Sequence, residues 1–432
     1  MAESYTSSYF PSQVVSDGEK LSMDYGLKVG KAIESEWFKR DSGTNRFASN
    51  QNNFHKLRLY ARGEQSIQKY KDELSINGDL SYLNLDWKPV PIIPKFVDIV
   101  VNGISERTFD IKAYTQDPYG VEKRTAYMDK ILADMKSKEL TEFAAEAFGV
   151  NLMGSEMEAL PENEEELQLH MQLNYKQAVE IAEEQAINVL LDGNRYELIR
   201  KKVNYDLTVL GIGAVKNSFS KSQGVKVEYV DPANIVYSYT DDPYFEDIYY
   251  FGEIKTIPIN ELVKEFPNLT EQELKEMNKQ GYQSTGFYNK SFNDSNNIDQ
   301  NQIQILYFNY KTYMNQVYKT KVTATGASKV IAKDGDFLPG ELDAVEARFG
   351  KLSKQIEVLF EGAMVLGTKK MLKWELASNM MRPKSDYTKV KLNYSIVAPR
   401  MYKGKIESLV SRITTFADMI QITHLKIQQV MS

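Results

Sequence analysis

Apolar and polar positions alternate in two ways along this chain, and each predicts a different element. Helical spacing begins at Tyr25–Phe38, where Leu27, Val29, Ile33 and Trp37 fall broadly on one face. Arg46–Tyr60 and Gly63–Leu74 are shorter amphipathic pieces. Asp86–Pro94 is a connector held extended by its prolines, and Lys95–Ile104 is a short helix stopping at Gly103. Long helices are predicted at Glu122–Phe148 and Asn163–Leu191. The second has an inward stripe of Leu167, Met171, Tyr175, Val179, Ala182, Ala186 and Val189, and a glutamate-rich first turn that suits the positive end of a helix dipole. Glu197–Leu210 is stopped by Gly211 and Gly213. A last helix is expected over Lys405–Met431, free of Pro and Gly and roughly 40 Å long, with its stripe at Ile406, Leu409, Ile413, Phe416, Ile420 and Ile427.

Period-two alternation marks the strands. Phe109–Tyr114 is the first, and Ala214–Phe219 pairs with Val225–Val230 through a turn at Ser222, Gln223 and Gly224. A turn at Asp231–Asn234 leads to Ile235–Tyr239 and Ile248–Ile254. Pro258–Leu262 then opens a short helix ending near Phe266, and Asn268–Lys279 is another. Ile303–Tyr313 and Tyr318–Ala324 read as strands about a turn at Met314 and Asn315, and Leu342–Gln355 as a short helix. Ile356–Phe360, Ala363–Leu366 and Thr368–Leu376 read as a meander turning at Gly362 and Gly367. Residues 1–25 show little periodicity and read as an extended or poorly ordered arm. The polar stretch 282–302 reads as a domain boundary. The fold class expected from this order is α+β.

Composition narrows the function. The chain has 432 residues, enough for two or three domains, and no stretch of 18 uninterrupted apolar residues, so no membrane partner is expected. It has no cysteine, which excludes disulfides, thiolate nucleophiles and cysteine zinc sites. Net charge is −6, but unevenly placed. Nine glutamates lie between Gly154 and Glu184 against Lys176 alone, and from Lys369 onward twelve basic residues face four acidic ones. An acidic middle and a basic end imply different partners for the two regions.

Few constellations carry chemistry. Gly211-Ile212-Gly213 follows a helix instead of preceding one and lacks a lysine–serine pair, so it reads as a helix cap and not a phosphate loop. No Walker motif occurs, which excludes a packaging ATPase. Asp241, Asp242, Glu246 and Asp247 are close enough to hold Mg²⁺ or Ca²⁺, yet lack an EF-hand glycine and are broken by Pro243, so a solvated acidic loop is the better reading. His55, His170 and His424 are isolated from one another. No catalytic residue and no cofactor is assigned. The basic end remains: Arg400, Lys403, Lys405, Arg412 and Lys426, with Thr414, Thr415, Gln421, Gln428 and Gln429 as a polar face carrying no sequence code. A solvated helix face is the plain reading of one copy. In a ring of identical subunits, each lysine becomes a ring of charge.

The segments "PKFVDIVVNGI", "DLTVLGIGAVKN", "VEYVDPANIVYS" and "YYFGEIKTIPINELVKEFP" resemble portal proteins of tailed bacteriophages. The wording "IAEEQAINVLLDGNRYELIRKKVNYDL" is most similar to the crAss-like podovirus type. The likeness covers about residues 85–432. It implies a portal-like subunit with a mixed helix and sheet wing, a strand-rich clip and long stem helices, assembled as a dodecameric ring at one capsid vertex. The matching divisions are an arm at 1–25, wing at 26–300, clip with a first stem element at 301–399, and second stem helix at 400–432. The crown that follows the stem in portals is missing, and the chain is expected to be cut in mid-helix. The implied function is structural: a DNA channel for packaging, retention and ejection. The implied partners are further copies of the chain, double-stranded DNA, major capsid protein, terminase and tail or adaptor proteins. Assembly in the host cytoplasm and a place in the virion follow. Arg400, Lys403, Lys405, Arg412 and Lys426 are then channel candidates. Ile406, Leu409, Ile413, Phe416 and Ile420 are subunit-packing candidates. Other head–tail connector or neck ring proteins, and a metal-dependent nuclease using Asp241–Asp247, are the alternatives.

Overall fold

In the computed structural model, which describes residues 9–38, 46–75, 85–106, 109–114, 118–148, 161, 163–173, 178–220, 224–267, 269–275, 277, 302–322, 328–333 and 349–431, the chain is α+β. It divides into two units, one of Met1–Glu106 with Leu198–Ser432, the other of Arg107–Glu197.

The larger unit begins with helices α1 (Asp17–Lys20), α2 (Met23–Phe38), α3 (Arg46–Arg62), α4 (Gln68–Leu74) and α5 (Ile92–Ser105). Tyr25, Val29 and Ile33 of α2 join Phe308, Tyr310, Phe360 and Trp374 in the main core, so the helical period read from the sequence is the buried one. The expected arm does not extend over residues 9–25. Phe10 stacks on Tyr250 at 4.7 Å, and Lys20 is fully buried with its Nζ donating to Tyr313 O at 2.6 Å. Asp17 accepts the Asn315 N–H at 3.0 Å. These contacts satisfy a strand edge, which leaves no period for a pattern search to find.

The smaller unit holds α6 (Pro118–Phe148), α7 (Glu164–Leu173) and α8 (Ala178–Gly193), and the first two supply a small core of Ile131, Leu167 and Met171. The stripe predicted through 163–191 holds at Leu167 and Met171 and fails at Val179 and Val189, which are exposed; Tyr175 lies outside the described residues. Phe109–Tyr114 is not paired as a strand, and Phe109 instead meets Tyr196 edge-on at 6.3 Å.

Helix α9 (Tyr196–Val209) leads into a three-stranded antiparallel sheet of β1 (Gly213–Ser220), β2 (Gly224–Val230) and, from much later, β9 (Tyr394–Val397), in the order β2-β1-β9. The larger sheet comprises β3 (Ile235–Tyr237), β4 (Tyr250–Pro258), β5 (Gln302–Val322), β7 (Phe349–Val365) and β8 (Met371–Leu376). β6 (Ser328–Lys333) is on the far part of β5, and α10 (Ile259–Glu265) follows β4. Three expectations are corrected here. β5 is one 21-residue strand with no turn at Met314 and Asn315, which pair with Ile356 and Gln355. Residues 349–355 are strand, not helix, because the ladder to β5 outweighs a weak local preference. The boundary placed near 300 is spanned by one sheet, since β4 and β5 pair from Tyr250↔Tyr310 to Pro258↔Gln302. The chain ends in strands β10 (Met401–Tyr402) and β11 (Lys405–Ile406) and helix α11 (Leu409–Met431).

Polar clamps close the larger unit. Arg58 of α3 donates to both oxygens of Asp231 at 2.7 and 3.1 Å and to Asp206 of α9 at 3.3 Å, while the Tyr229 hydroxyl donates to Asp206. Among the described residues, no helix is long and apolar enough to cross a membrane.

Candidate nucleic-acid interface

Three of the five cations singled out in the sequence sit on one short hairpin, and a fourth on the helix turn that follows. β10 and β11 pair Met401 with Ile406 and Tyr402 with Lys405. Lys403 and Gly404 make the two-residue turn with φ of 48° and 70°, the left-handed pair that matches hairpin twist. Alternation then sorts the side chains. Met401 and Ile406 are half-buried against the main core, whereas Arg400, Tyr402, Lys405 and Glu407 share the outer face and are exposed, as is Lys403 at the tip. The hairpin base closes through the Glu407 N–H to Arg400 O bond at 3.0 Å. Behind it stands Gly211, with φ of 83°, where an added Cβ would lie 2.6 Å from Glu407 O. The end of α9 can reach the hairpin only because that residue is glycine.

The predicted helix over Lys405–Met431 therefore starts later. Ser408 and Ser411 cap each other: the Ser408 hydroxyl accepts the Ser411 N–H at 2.9 Å, and the Ser411 hydroxyl accepts the Ser408 N–H at 3.0 Å. Arg412, on the first turn, pairs with Glu407 at 2.6 Å. That hydrogen bond, with the nearby charge of Arg400, holds the Glu407 carboxyl below its ordinary range. Lys426 is exposed roughly 20 Å further along the helix.

The inward face of α11 is not the predicted stripe. Its buried residues are Val410, Ala417, Gln421 and Leu425. Asp418 accepts hydroxyl protons from Tyr60 and Tyr70, each at 2.8 Å, and pairs with Lys69. Burial, reinforced by Asp418, pushes both phenols well up. Gln421, expected in a polar lining, instead docks the helix. Its Oε1 accepts the Val90 N–H at 2.7 Å and its Nε2 donates to Lys88 O at 3.3 Å. Sequence reasoning missed Asp418 and Gln421, because inward polar residues break the apolar period by which a buried face is read.

Among the packing candidates, Ile406 and Ile413 pack on the core of their own chain, and Leu409 and Ile420 are half-buried. Phe416 is 61% exposed. It belongs to a second, outward apolar face with Met419, Ile427, Val430 and Met431, all exposed.

Elsewhere three of the four acidic-loop carboxylates are engaged in structure. Asp242 accepts the Tyr244 and Glu246 N–H groups at 3.1 and 2.8 Å, Asp247 accepts the Thr240 hydroxyl, and Glu246 pairs with Lys391 at 3.1 Å. That network shapes the acidic loop. His170 stacks on Tyr127, and His424 contacts Gln428. Around the hairpin, four cations face one carboxylate, and Tyr402 is 74% exposed with the Lys403 ammonium 5.5 Å from its ring. The two lysine ammoniums are point charges suited to phosphate contact, the Arg412 fork is held by Glu407, and the open face of Tyr402 suits stacking. No family model matches the chain, and no curated protein matches its sequence.

Proposed function

We propose that the chain is a structural subunit of a portal-type ring, a channel for double-stranded DNA at a capsid vertex. The observation that carries this reading is the double-sided C-terminal helix. One face is clamped to its own chain through Asp418, Gln421 and Leu425, and the other presents Phe416, Met419, Ile427, Val430 and Met431. An apolar face on a helix already docked by its other side suits lateral packing between copies. The exposed Arg400, Lys403 and Lys405 repeat around such a ring, and non-directional phosphate contacts suit a duplex that slides. The portal resemblance read from the sequence supplies the type of ring. In this reading the chain performs no covalent chemistry, and capsid protein, terminase and tail proteins contact other faces of the assembly.

Mass photometry and negative-stain imaging of the purified chain test this. Closed rings of about twelve copies are expected. A protein that stays monomeric under assembly conditions overturns the reading.

A further inference from the structure

The two sheets of the larger unit leave a groove of about 600 Å³ between the loop 244–249 and residues 389–397. One wall is β9, an edge strand. The Asn217 N–H donates to Asn393 O at 2.8 Å, which sets the pairing parity of β1 with β9. Ser395 and Val397 thus exchange their main-chain bonds with β1, while Tyr394 and Ile396 turn their N–H and C=O groups to the open side. Both residues are buried and line the groove, and among the described residues nothing bonds those four main-chain groups. Main-chain groups left unpaired along a strand edge are a template on which a further strand can add. The next position of the same parity shows what completes it: the Ala398 N–H donates to Pro243 O at 2.9 Å, as a neighbouring strand would arrange.

The floor of the groove adds a charge. Lys311 is 9% exposed, and its Nζ donates one bond, to Glu246 O at 3.0 Å. Burial lowers its proton affinity, with Lys389 acting in the same sense and Glu357, Glu246 and Asp247 against. Those carboxylates already have partners: Glu246 in Lys391, Glu357 in the Val390 N–H at 3.1 Å, and Asp247 in the Thr240 hydroxyl. The groove therefore has spare donors above its floor and both donors and acceptors along its wall.

We infer that this groove docks an extended peptide segment of a partner protein, which adds as a strand to β9 and directs an acidic side chain at Lys311. The two-residue spacing of the open groups at Tyr394 and Ile396 is that of an extended chain. A small anion has no donor for the two carbonyls, and a nucleic-acid phosphate would be repelled by them. The inference stands apart from the ring assembly, because none of its residues lies on α11 or the hairpin.

The test uses the full chain and a fluorescein-labelled pentapeptide, acetyl-Thr-Val-Glu-Val-Thr-amide, followed by anisotropy. Saturable binding is expected. Exchanging the central glutamate for lysine, or Lys311→Met in the protein, should weaken it about tenfold or more, as for a charged hydrogen bond. N-methylation of the peptide nitrogens that face β9 should abolish binding, while methylation of the alternate nitrogens should leave it. Circular dichroism establishes that Lys311→Met remains folded. Absence of saturable binding, or binding indifferent to the methylation register, overturns the inference. Equal competition by acetate overturns it in favour of a small-anion site. Binding that appears only after deletion of residues 1–8 overturns it in favour of the chain's own terminus.

Discussion

Arg58 holds both oxygens of Asp231 and one of Asp206, whereas Arg400, Lys403 and Lys405 stand exposed around the single carboxylate of Glu407. Both regions are polar, and both lie within one unit of the fold. In the first, every cation bond ends on a residue of another element, so α3 is tied to α9 and to the turn after β2. In the second, the one strong pair, Arg412 with Glu407, joins residues five apart and ties nothing distant. The contrast separates charge that holds the fold from charge left available to a partner, and it makes opposite forecasts for substitution.

The largest effect is expected at the clamp. Arg58→Ala leaves Asp206, which is 2% exposed, without its cation. The cost to unfolding free energy should be about 3 kcal/mol, at the low end for a broken buried pair because Asp231 is a third exposed. Urea unfolding measures it, and a change below about 1 kcal/mol would dissolve the contrast drawn here. A smaller effect follows from pH. Burial raises the Asp206 carboxyl to about 6 from an ordinary value near 3.8, against the pull of Tyr229 and Arg58. The folded state thus holds this proton more tightly than the unfolded state. Its contribution to stability is greatest below pH about 4 and falls as pH rises through about 6, by roughly 2–3 kcal/mol. Asp206→Asn should flatten that part of the stability profile. An unchanged slope means that Asp206 titrates normally.

The clamp was not legible in the sequence, and the hairpin was only half so. Helices such as Met23–Phe38 and Tyr196–Val209, and the pairing of Gly213–Ser220 with Gly224–Val230, follow from local period and turn chemistry. Lys403 and Lys405 were found because a basic pair about a glycine is a local signal. Arg58, Asp206 and Asp231 carry no such signal, since their meeting depends on packing between positions 148 and 173 residues apart. The inward face of α11 was misread for the same reason: Gln421 is buried against Lys88 and Val90, and half-buried Asp418 is turned inward by Tyr60 and Tyr70. β5 was divided at Met314 and Asn315 because its continuity is fixed by β7 and not by its own residues.

Phe416 sharpens the comparison from the other side. It is 61% exposed, so Phe416→Asp should alter the unfolding free energy of the single chain by no more than about 0.5 kcal/mol. In an assembly packed through the outward face of α11, the same change places a carboxylate in an apolar contact. Mass photometry should then show monomers where the unmodified chain forms rings. Rings of unchanged size would remove that face from the subunit contact.

The smallest effect on the fold, and the most selective, is expected at Lys403. Its side chain is exposed at the tip of a turn whose geometry rests on the left-handed backbone of Lys403 and Gly404, not on the ammonium. Lys403→Asn keeps a residue that tolerates positive φ and removes only the charge, so the unfolding midpoint should not move. Binding of a DNA duplex by the assembled protein should weaken modestly. The more telling readout is the salt dependence. Each lost phosphate contact lowers the slope of log binding constant against log salt by about 0.9, multiplied by the number of subunits whose lysine touches the duplex at once. The Lys403→Asn, Lys405→Ala double variant should flatten the slope further, and equally for unrelated duplex sequences, because lysines on this hairpin face meet phosphates and not base edges. An unchanged slope in the double variant would mean that these lysines lie away from the DNA, and would leave Arg400, Arg412 and Lys426 as the remaining candidates for the channel wall.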